Sequence, residues 1–242
     1  VNQSGLHIQS FGFESLASAE SVLDSDEREL GSVCINFGAH LTHVVVYSSG
    51  IPIYSKDFPL GAHHITKDIA IGLRTTQTEA ERIKRDFAHA YFNPEEAGDS
   101  FTVQTAEHLG GNRQFTRGQL MHIVEPRVRE IFGFIHSELK KLKVMQFVTK
   151  GVILTGGGSL MPGLCFVAED IFGVSARVGY PLNLTGVTEG LRSPLCTSVI
   201  GLLSPLFDPH EEENTSFWRT PQGGWMGWAR NLLDRLKEPS EI

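Results

Sequence analysis

No run of apolar residues in this chain approaches the roughly 20 needed to cross a bilayer, so no transmembrane helix is predicted. No basic, apolar, small-residue-cleaved start opens it, and the first residue is Val1 rather than Met. The chain is therefore read as a segment of a longer protein that stays in the cytoplasm. Cysteine is scarce: Cys34, Cys165 and Cys196 lie far apart, each among apolar neighbours, which predicts buried thiols rather than disulfides or a metal framework. Positive charge is short as well. Lys and Arg number 21 against 28 Asp and Glu, a net charge of −7, whereas a general nucleic-acid binder needs a positive field to displace counterions from phosphates. Nucleic acid is excluded as a partner on that ground, and no internal repeat is present.

What remains is the composition of an ordinary globular protein. With 242 residues, 40% hydrophobic and 20% charged, it can bury a sizeable core in one large or two smaller domains. Val33 to Asn36, Thr42 to Tyr47 and Pro52 to Pro59 read as three strands of an antiparallel meander, broken at Gly38-Ala39-His40 and Ser48-Ser49-Gly50. Helices are expected over Gly61 to Leu73 and Thr78 to Tyr91, with Ile65, Ile69 and Leu73 on one face of the first and Ile83 and Phe87 on one face of the second. The polar stretch from Asn93 to Arg113 carries one alternating run, Phe101-Thr102-Val103, the mark of a small strand-bearing insertion. Thr116 and Gln119 form a capping box, so a helix should begin there, kink at Pro126 and reach about Lys143. Gly151 to Thr155 reads as a buried strand, Pro162 as the start of a helix reaching Phe172, Ala176 to Gly179 as a last strand and Pro194 to Leu203 as a last core helix.

Three features carry chemistry. Gly156-Gly157-Gly158-Ser159 joins a buried strand to a helix, and consecutive glycines let backbone amides approach a phosphate or ribose closely. Glycine-rich turns also arise for packing alone. Glu81 and Lys84 lie three apart on one helix face, where a carboxylate can accept ribose hydroxyls and an ammonium can lie along an adenine or phosphate edge; a solvated ion pair is the alternative. Finally, Pro205 to Gly224, with Glu211-Glu212-Glu213, reads as a flexible linker before an amphipathic segment. There Trp225, Met226, Trp228, Leu232, Leu233 and Leu236 line one face while Arg230, Arg235 and Lys237 lie largely on the other, a pattern suited to an anionic membrane surface. The competing reading is a terminal helix docked on its own domain.

A strand-turn-strand loop, a Glu-Xaa-Xaa-Lys helix and a Leu-Thr-Gly-Gly-Gly-Ser loop, in that order, resemble the second half of the actin and heat-shock-chaperone superfamily. Within it the sequence is most similar to the FtsA family of cell-division proteins. Leu23 to Gly31, Val124-Glu125-Pro126-Arg127-Val128-Arg129-Glu130-Ile131, Gly151 to Leu164 and Pro181-Leu182-Asn183-Leu184-Thr185-Gly186-Val187-Thr188 carry that likeness. The resemblance implies an α/β fold, an actin-like ATPase (ribonuclease H-like) domain II with a small insertion. Its expected parts are an interdomain connection over 1–30, subdomain 2A over 31–75 and 146–204, subdomain 2B over 76–145, a linker over 205–224 and a membrane-targeting helix over 225–238. It implies ATP as ligand, with Gly38 and Asn36 on the phosphate side and Gly156, Gly157, Gly158, Ser159, Glu81 and Lys84 around adenosine. It further implies that Arg127 and Glu130 receive the C-terminal tail of FtsZ, that the protein self-associates into actin-like filaments and recruits later division proteins, and that it works on the cytoplasmic face of the membrane at the division site.

One stretch departs from the family. Its phosphate loop usually reads Asp-Ile-Gly-Gly-Gly-Thr with another acidic residue soon after, whereas this chain has Asn36-Phe37-Gly38-Ala39-His40-Leu41-Thr42-His43. Asn36 lacks the negative charge that favours a divalent cation and Leu41 replaces a hydroxyl, so phosphate and Mg2+ coordination should be weakened and hydrolysis is not expected. His40 and His43 lack a third ligand, so no metal site is predicted. Two alternatives stand beside the adaptor: the related pilus-assembly adaptor PilM, not expected to carry the tail, and a sugar-kinase-type enzyme, which needs the acidic loop.

Overall fold

The computed structural model describes residues 4–5, 11–92, 94–104, 111–182, 184, 186 and 189–207, the side chains of 204–207 excepted. The chain divides into two compact units, Glu14–Gly201 and a second formed by Val1–Phe13 with Leu202–Ile242. The main sheet belongs to the first unit. The linker beyond Phe207 and the whole amphipathic segment, Trp225 to Lys237, lie outside the described residues.

In chain order the elements are α1 (Glu14–Val22), α2 (Ser25–Leu30), β1 (Ser32–Phe37), β2 (Thr42–Ser48), β3 (Ile51–Phe58), α3 (Ala62–Leu73) and α4 (Gln77–Phe87). Next come β4 (Ser100–Gln104), β5 (Asn112–Thr116), α5 (Arg117–Lys141), β6 (Val152–Thr155), α6 (Leu164–Phe172), β7 (Ala176–Val178) and α7 (Thr197–Phe207). The main sheet has the order β3-β2-β1-β6-β7. The meander is antiparallel, with Val33 opposite Val46 and Phe37 opposite Thr42, while β1 runs parallel to β6 and β6 to β7.

Every residue of β1 is buried, which places it at the centre with both faces covered. Val33, Ile35 and Phe37 pack with Ile65 and Ile69 of α3 and with Val128 and Phe132 of α5, each such side chain contributing about 1.5–3 kcal/mol of gross burial. Cys34 lies on β1 at an alternate position to these and is buried, so desolvation pushes its thiol up to about 12 and keeps it unreactive. α1 supplies Ser15, Ala17, Ser18, Ala19 and Ser21, small side chains that let it lie close to the sheet, and Tyr47 of β2 donates to Glu20 of α1 at 2.7 Å.

The capping signals act as the sequence predicts. Gln119 N–H donates to Thr116 Oγ1 at 3.3 Å and Thr116 N–H to Gln119 Oε1 at 2.9 Å. A second box opens α2, where Asp24 and Glu27 cap each other. Glu27 also accepts two bonds of 2.6 Å from Arg177 of β7, tying α2 to the sheet edge.

α5 continues through Pro126 to Lys141, close to the expected end. Three local expectations change. α4 ends at Phe87 rather than Tyr91, because the chain turns extended at Ala88. Pro162 does not open α6, because Gly163 has φ +79 and the helix starts at Leu164, after a 3-10 turn over Gly157–Leu160. Pro205, expected to start the linker, belongs to α7, which continues to Phe207. The insertion proves to be a two-stranded sheet, β4 with β5, fastened to α4 by Phe87 stacked on Phe101 at 4.7 Å.

Candidate functional site

β1 and β6 are parallel neighbours that end together, with Asn36 opposite Thr155, so the loops after them leave the same edge of the sheet side by side. In open α/β sheets this carboxyl edge is where ligands bind. The glycine loop is used first for packing. Gly156 has φ +80, and a Cβ on it would lie 2.2 Å from Asn36 Oδ1; one on Gly158 would lie 2.4 Å from the Phe37 ring. Ser159 is buried and its hydroxyl donates to Gly156 O at 2.7 Å. Of these four residues Gly157 alone is exposed. The loop therefore buttresses the turn after β1.

That turn in turn holds α3. Ala62 N–H donates to Gly38 O at 3.0 Å and His63 N–H to Ala39 O at 2.7 Å. Gly61 permits the approach, since a Cβ there would meet Ala39 O at 2.6 Å. Across from α3, α4 divides its charges between two faces. Glu79 and Arg82 pair at 2.7 Å beside β4, where Gln104 N–H also donates to Glu79. Glu81 and Lys84 pair at 2.7 Å facing α3. Lys84 Nζ, whose side chain is only 10% exposed, also donates to Thr66 Oγ1 at 2.9 Å and Ala62 O at 3.3 Å. Thr66 Oγ1–H donates to Glu81 Oε2 at 2.5 Å, closing a three-membered network. Burial pushes the Glu81 carboxyl up, but the bonds from Lys84 and Thr66 and the charges of Lys84 and Arg85 outweigh it and hold it below the usual carboxylate range.

Between these helices lies an open groove of ≈ 320 Å³ lined by Ala39, His63, Thr66, Gln77, Thr78, Glu81 and Lys84. It offers hydroxyls, an amide, a carboxylate and an ammonium within one cleft, a donor and acceptor set suited to a base and its sugar. Glu81 and Lys84, paired on one helix face, line it. Gly38 and Asn36 are not among its lining residues, although Ala39 beside them is, and Gly156 to Ser159 are not in the lining either, Gly156 and Gly158 packing against Asn36 and Phe37 instead. Thr66 and His63 join the site with no signal in the sequence to announce them.

Asn36 is buried, its Nδ2 donating to Ser198 Oγ at 3.1 Å, and Ser198 donates onward to Glu14 at 3.0 Å. This position presents a packed neutral amide, and among the described residues no group of three His, Cys, Asp or Glu could hold a metal. The donor set does not fit Mg2+. His43 faces Asp57 at 2.7 Å, whereas His40 stacks on His63 with ring centroids 4.7 Å apart, so the two histidines of the turn serve different neighbours.

Arg127 and Glu130 sit one turn apart on α5 and touch each other. Arg127 also forks onto Asp68 of α3, at 2.5 and 3.1 Å. The guanidinium is thus held by its own domain, with Glu130 half-exposed beside it.

A family model described as cell division protein FtsA matches residues 33–201. The chain belongs to the FtsA family. It is 34% identical over 203 residues to the FtsA of Pseudomonas aeruginosa, covering 84% of this chain and 48% of the relative. It is 33% identical over 205 residues to that of Bacillus subtilis, covering 84% and 44%, and 32% identical over 247 residues to that of Escherichia coli K12, covering 98% and 58%. The chain spans about half the length of the curated relatives it matches. Among solved structures it is similar to MreB5 of Spiroplasma citri bound to ADP, with a TM-score of 0.68 at 16% identity over 88% of this chain and 64% of the other. It is similar also to a PilM-PilN type IV pilus biogenesis complex, with a TM-score of 0.59 at 18% identity over 81% of this chain and 51% of the other. These likenesses show an actin-like fold, and the family match sets this FtsA-family chain apart from PilM, with which it shares the fold. Among the described residues no helix is long and apolar enough to cross a membrane.

Proposed function

We propose that this chain is the nucleotide-binding second half of an actin-like cell-division adaptor that anchors the FtsZ ring to the cytoplasmic membrane and helps recruit later division proteins. The observation that carries the nucleotide part is the Glu81-Lys84-Thr66 network at the wall of the groove between α3 and α4, at the carboxyl edge of an actin-like sheet. ATP would place its ribose against Glu81 and its base along Gln77, Thr78 and Lys84. Binding rather than turnover is the task, because the loop after β1 lacks the acid that hydrolysis on a metal requires.

Membrane attachment rests on the sequence of the tail. Trp225, Met226, Trp228, Leu232, Leu233 and Leu236 supply an apolar stripe, with Arg230 and Arg235 available to anionic headgroups. A single such helix binds weakly and reversibly, and self-association into filaments raises the avidity. Co-sedimentation with liposomes containing anionic lipid tests this: the intact chain should pellet, and a chain cut after Gly223 should stay in solution. Both remaining soluble at high protein concentration would remove the anchor.

The FtsZ tail would dock at Arg127 and Glu130. Its carboxylates would compete with Asp68 and Glu130 for one guanidinium, and the half-exposed Glu130 is the acid that can be released to solvent. Arg127→Gln should therefore weaken binding of the acidic tail peptide by about tenfold or more, the loss of one charge-assisted contact. An unchanged affinity in fluorescence anisotropy would discard this surface.

A further inference from the structure

We propose that the end of the groove at His63, with His40 stacked against it, is a metal-independent polyphosphate subsite, a reading that rests on the nucleotide assignment above. Two usual sources of phosphate recognition are spent here. The acidic position that would hold a hydrated cation is Asn36, packed against Gly156 and committed to Ser198. The first amides of α3, which could otherwise meet an anion, already donate to Gly38 O, Ala39 O and, from His64, Gly61 O. The charge of a polyphosphate must then be met by side chains.

His40 and His63 are the groups in place. They stack at 4.7 Å with planes 28° apart, one on the turn after β1 and the other in the first turn of α3, and His63 lines the groove beside Lys84. The titratable and charged groups facing His63 are His40 from the turn, Lys67 from its own helix, and Lys84 and Glu81 from α4. Burial, then His40, Lys67 and Lys84, push His63 below its ordinary value, while Glu81 pulls the other way. Two imidazoles so close repel when both are charged. An anion bridging the pair offsets that repulsion and favours the protonated rings, so its binding takes up protons. Proton uptake on binding means that affinity rises as pH falls through the ordinary histidine range.

Isothermal titration of ATP, and separately of inorganic tripolyphosphate, into the full-length protein at about pH 6 and pH 8, with Mg2+ or with EDTA, reads this directly. ATP should bind about tenfold more tightly at the lower pH, roughly one linked proton across histidine's range. EDTA should leave its affinity unchanged, the heats should vary with buffer ionisation enthalpy, and tripolyphosphate should show the same slope. His40→Gln with His63→Gln should flatten the slope while the protein stays folded by circular dichroism. ATP binding that requires Mg2+ and ignores pH would overturn the subsite and leave the nucleotide reading standing. A slope confined to ATP would move the linkage to the adenosine contacts and overturn it too, and no ATP binding under any condition would overturn both readings.

Discussion

Gly156→Ala should lower the unfolding free energy by about 2–5 kcal/mol, and Gly156→Val should prevent the folded protein from accumulating. A backbone at φ 80 and ψ 170 lies in a region essentially reserved for glycine and costs a residue with a Cβ about 1–3 kcal/mol, and forcing an extra carbon into a filled site adds about 1–3. Both terms apply at φ +80, where the new carbon would lie 2.2 Å from Asn36 Oδ1 and 2.9 Å from Phe37 O. Neither neighbour can step aside. Asn36 is anchored to Ser198, and Phe37 is fully buried with its ring 5.9 Å from Phe132 in an edge-to-face contact. At about 2–4 °C per kcal/mol for a domain of this size, the alanine variant should melt roughly 5–15 °C lower. Gly133→Ala is the control. It lies in α5 with no atom within 4 Å of an added Cβ, so it should hold or raise stability by about 0.5–1 kcal/mol. Equal melting of both variants would mean that the glycine loop does not lock the two central strands together.

The meander is legible in the sequence because Val33, Ile35, Val44 and Val46 announce buried strands and the glycines between them announce turns. Helix starts are legible where a side chain caps the backbone, as at Thr116. β5 is not, since Asn112-Arg113-Gln114-Phe115-Thr116 has one large apolar residue and becomes a strand by pairing with β4. The site divides in the same way. Glu81 and Lys84 can be paired from their spacing on one helix, but Thr66 stands 15 and 18 positions away and joins them through the packing of α3 on α4. His63 meets His40 because the first turn of α3 packs against the turn after β1. In the sequence Gly156 and Gly158 suggest room for a ligand, and the structure uses the room for Asn36 and Phe37. Arg127 suggests a free fork, and Asp68 of another helix fills it. Spacing along one element carries through to the fold; contact between elements has to be seen.

Lys84→Met should leave the domain folded and reduce ATP affinity of the full-length protein by about 30-fold or more, corresponding to about 2 kcal/mol. The methylenes of Lys84 are replaced in kind, so packing on α3 is kept. What disappears is the ammonium that joins Glu81, Thr66 and Ala62 O. Glu81 is then left with Thr66 and the more distant Arg85, its carboxyl rises toward the usual carboxylate range, and the groove wall turns from a balanced pair to a net negative charge facing an anionic ligand. Glu81→Gln should act differently. It keeps the shape and the Thr66 contact, removes the ribose acceptor and leaves Lys84 in excess, so the phosphates are favoured while the sugar is not, and affinity should fall only about three- to tenfold. Measured together by equilibrium titration, the two variants separate the roles: a larger loss for Lys84→Met assigns electrostatic balance to the pair, a larger loss for Glu81→Gln assigns it sugar recognition, and unchanged affinity in both takes this groove out of nucleotide binding altogether.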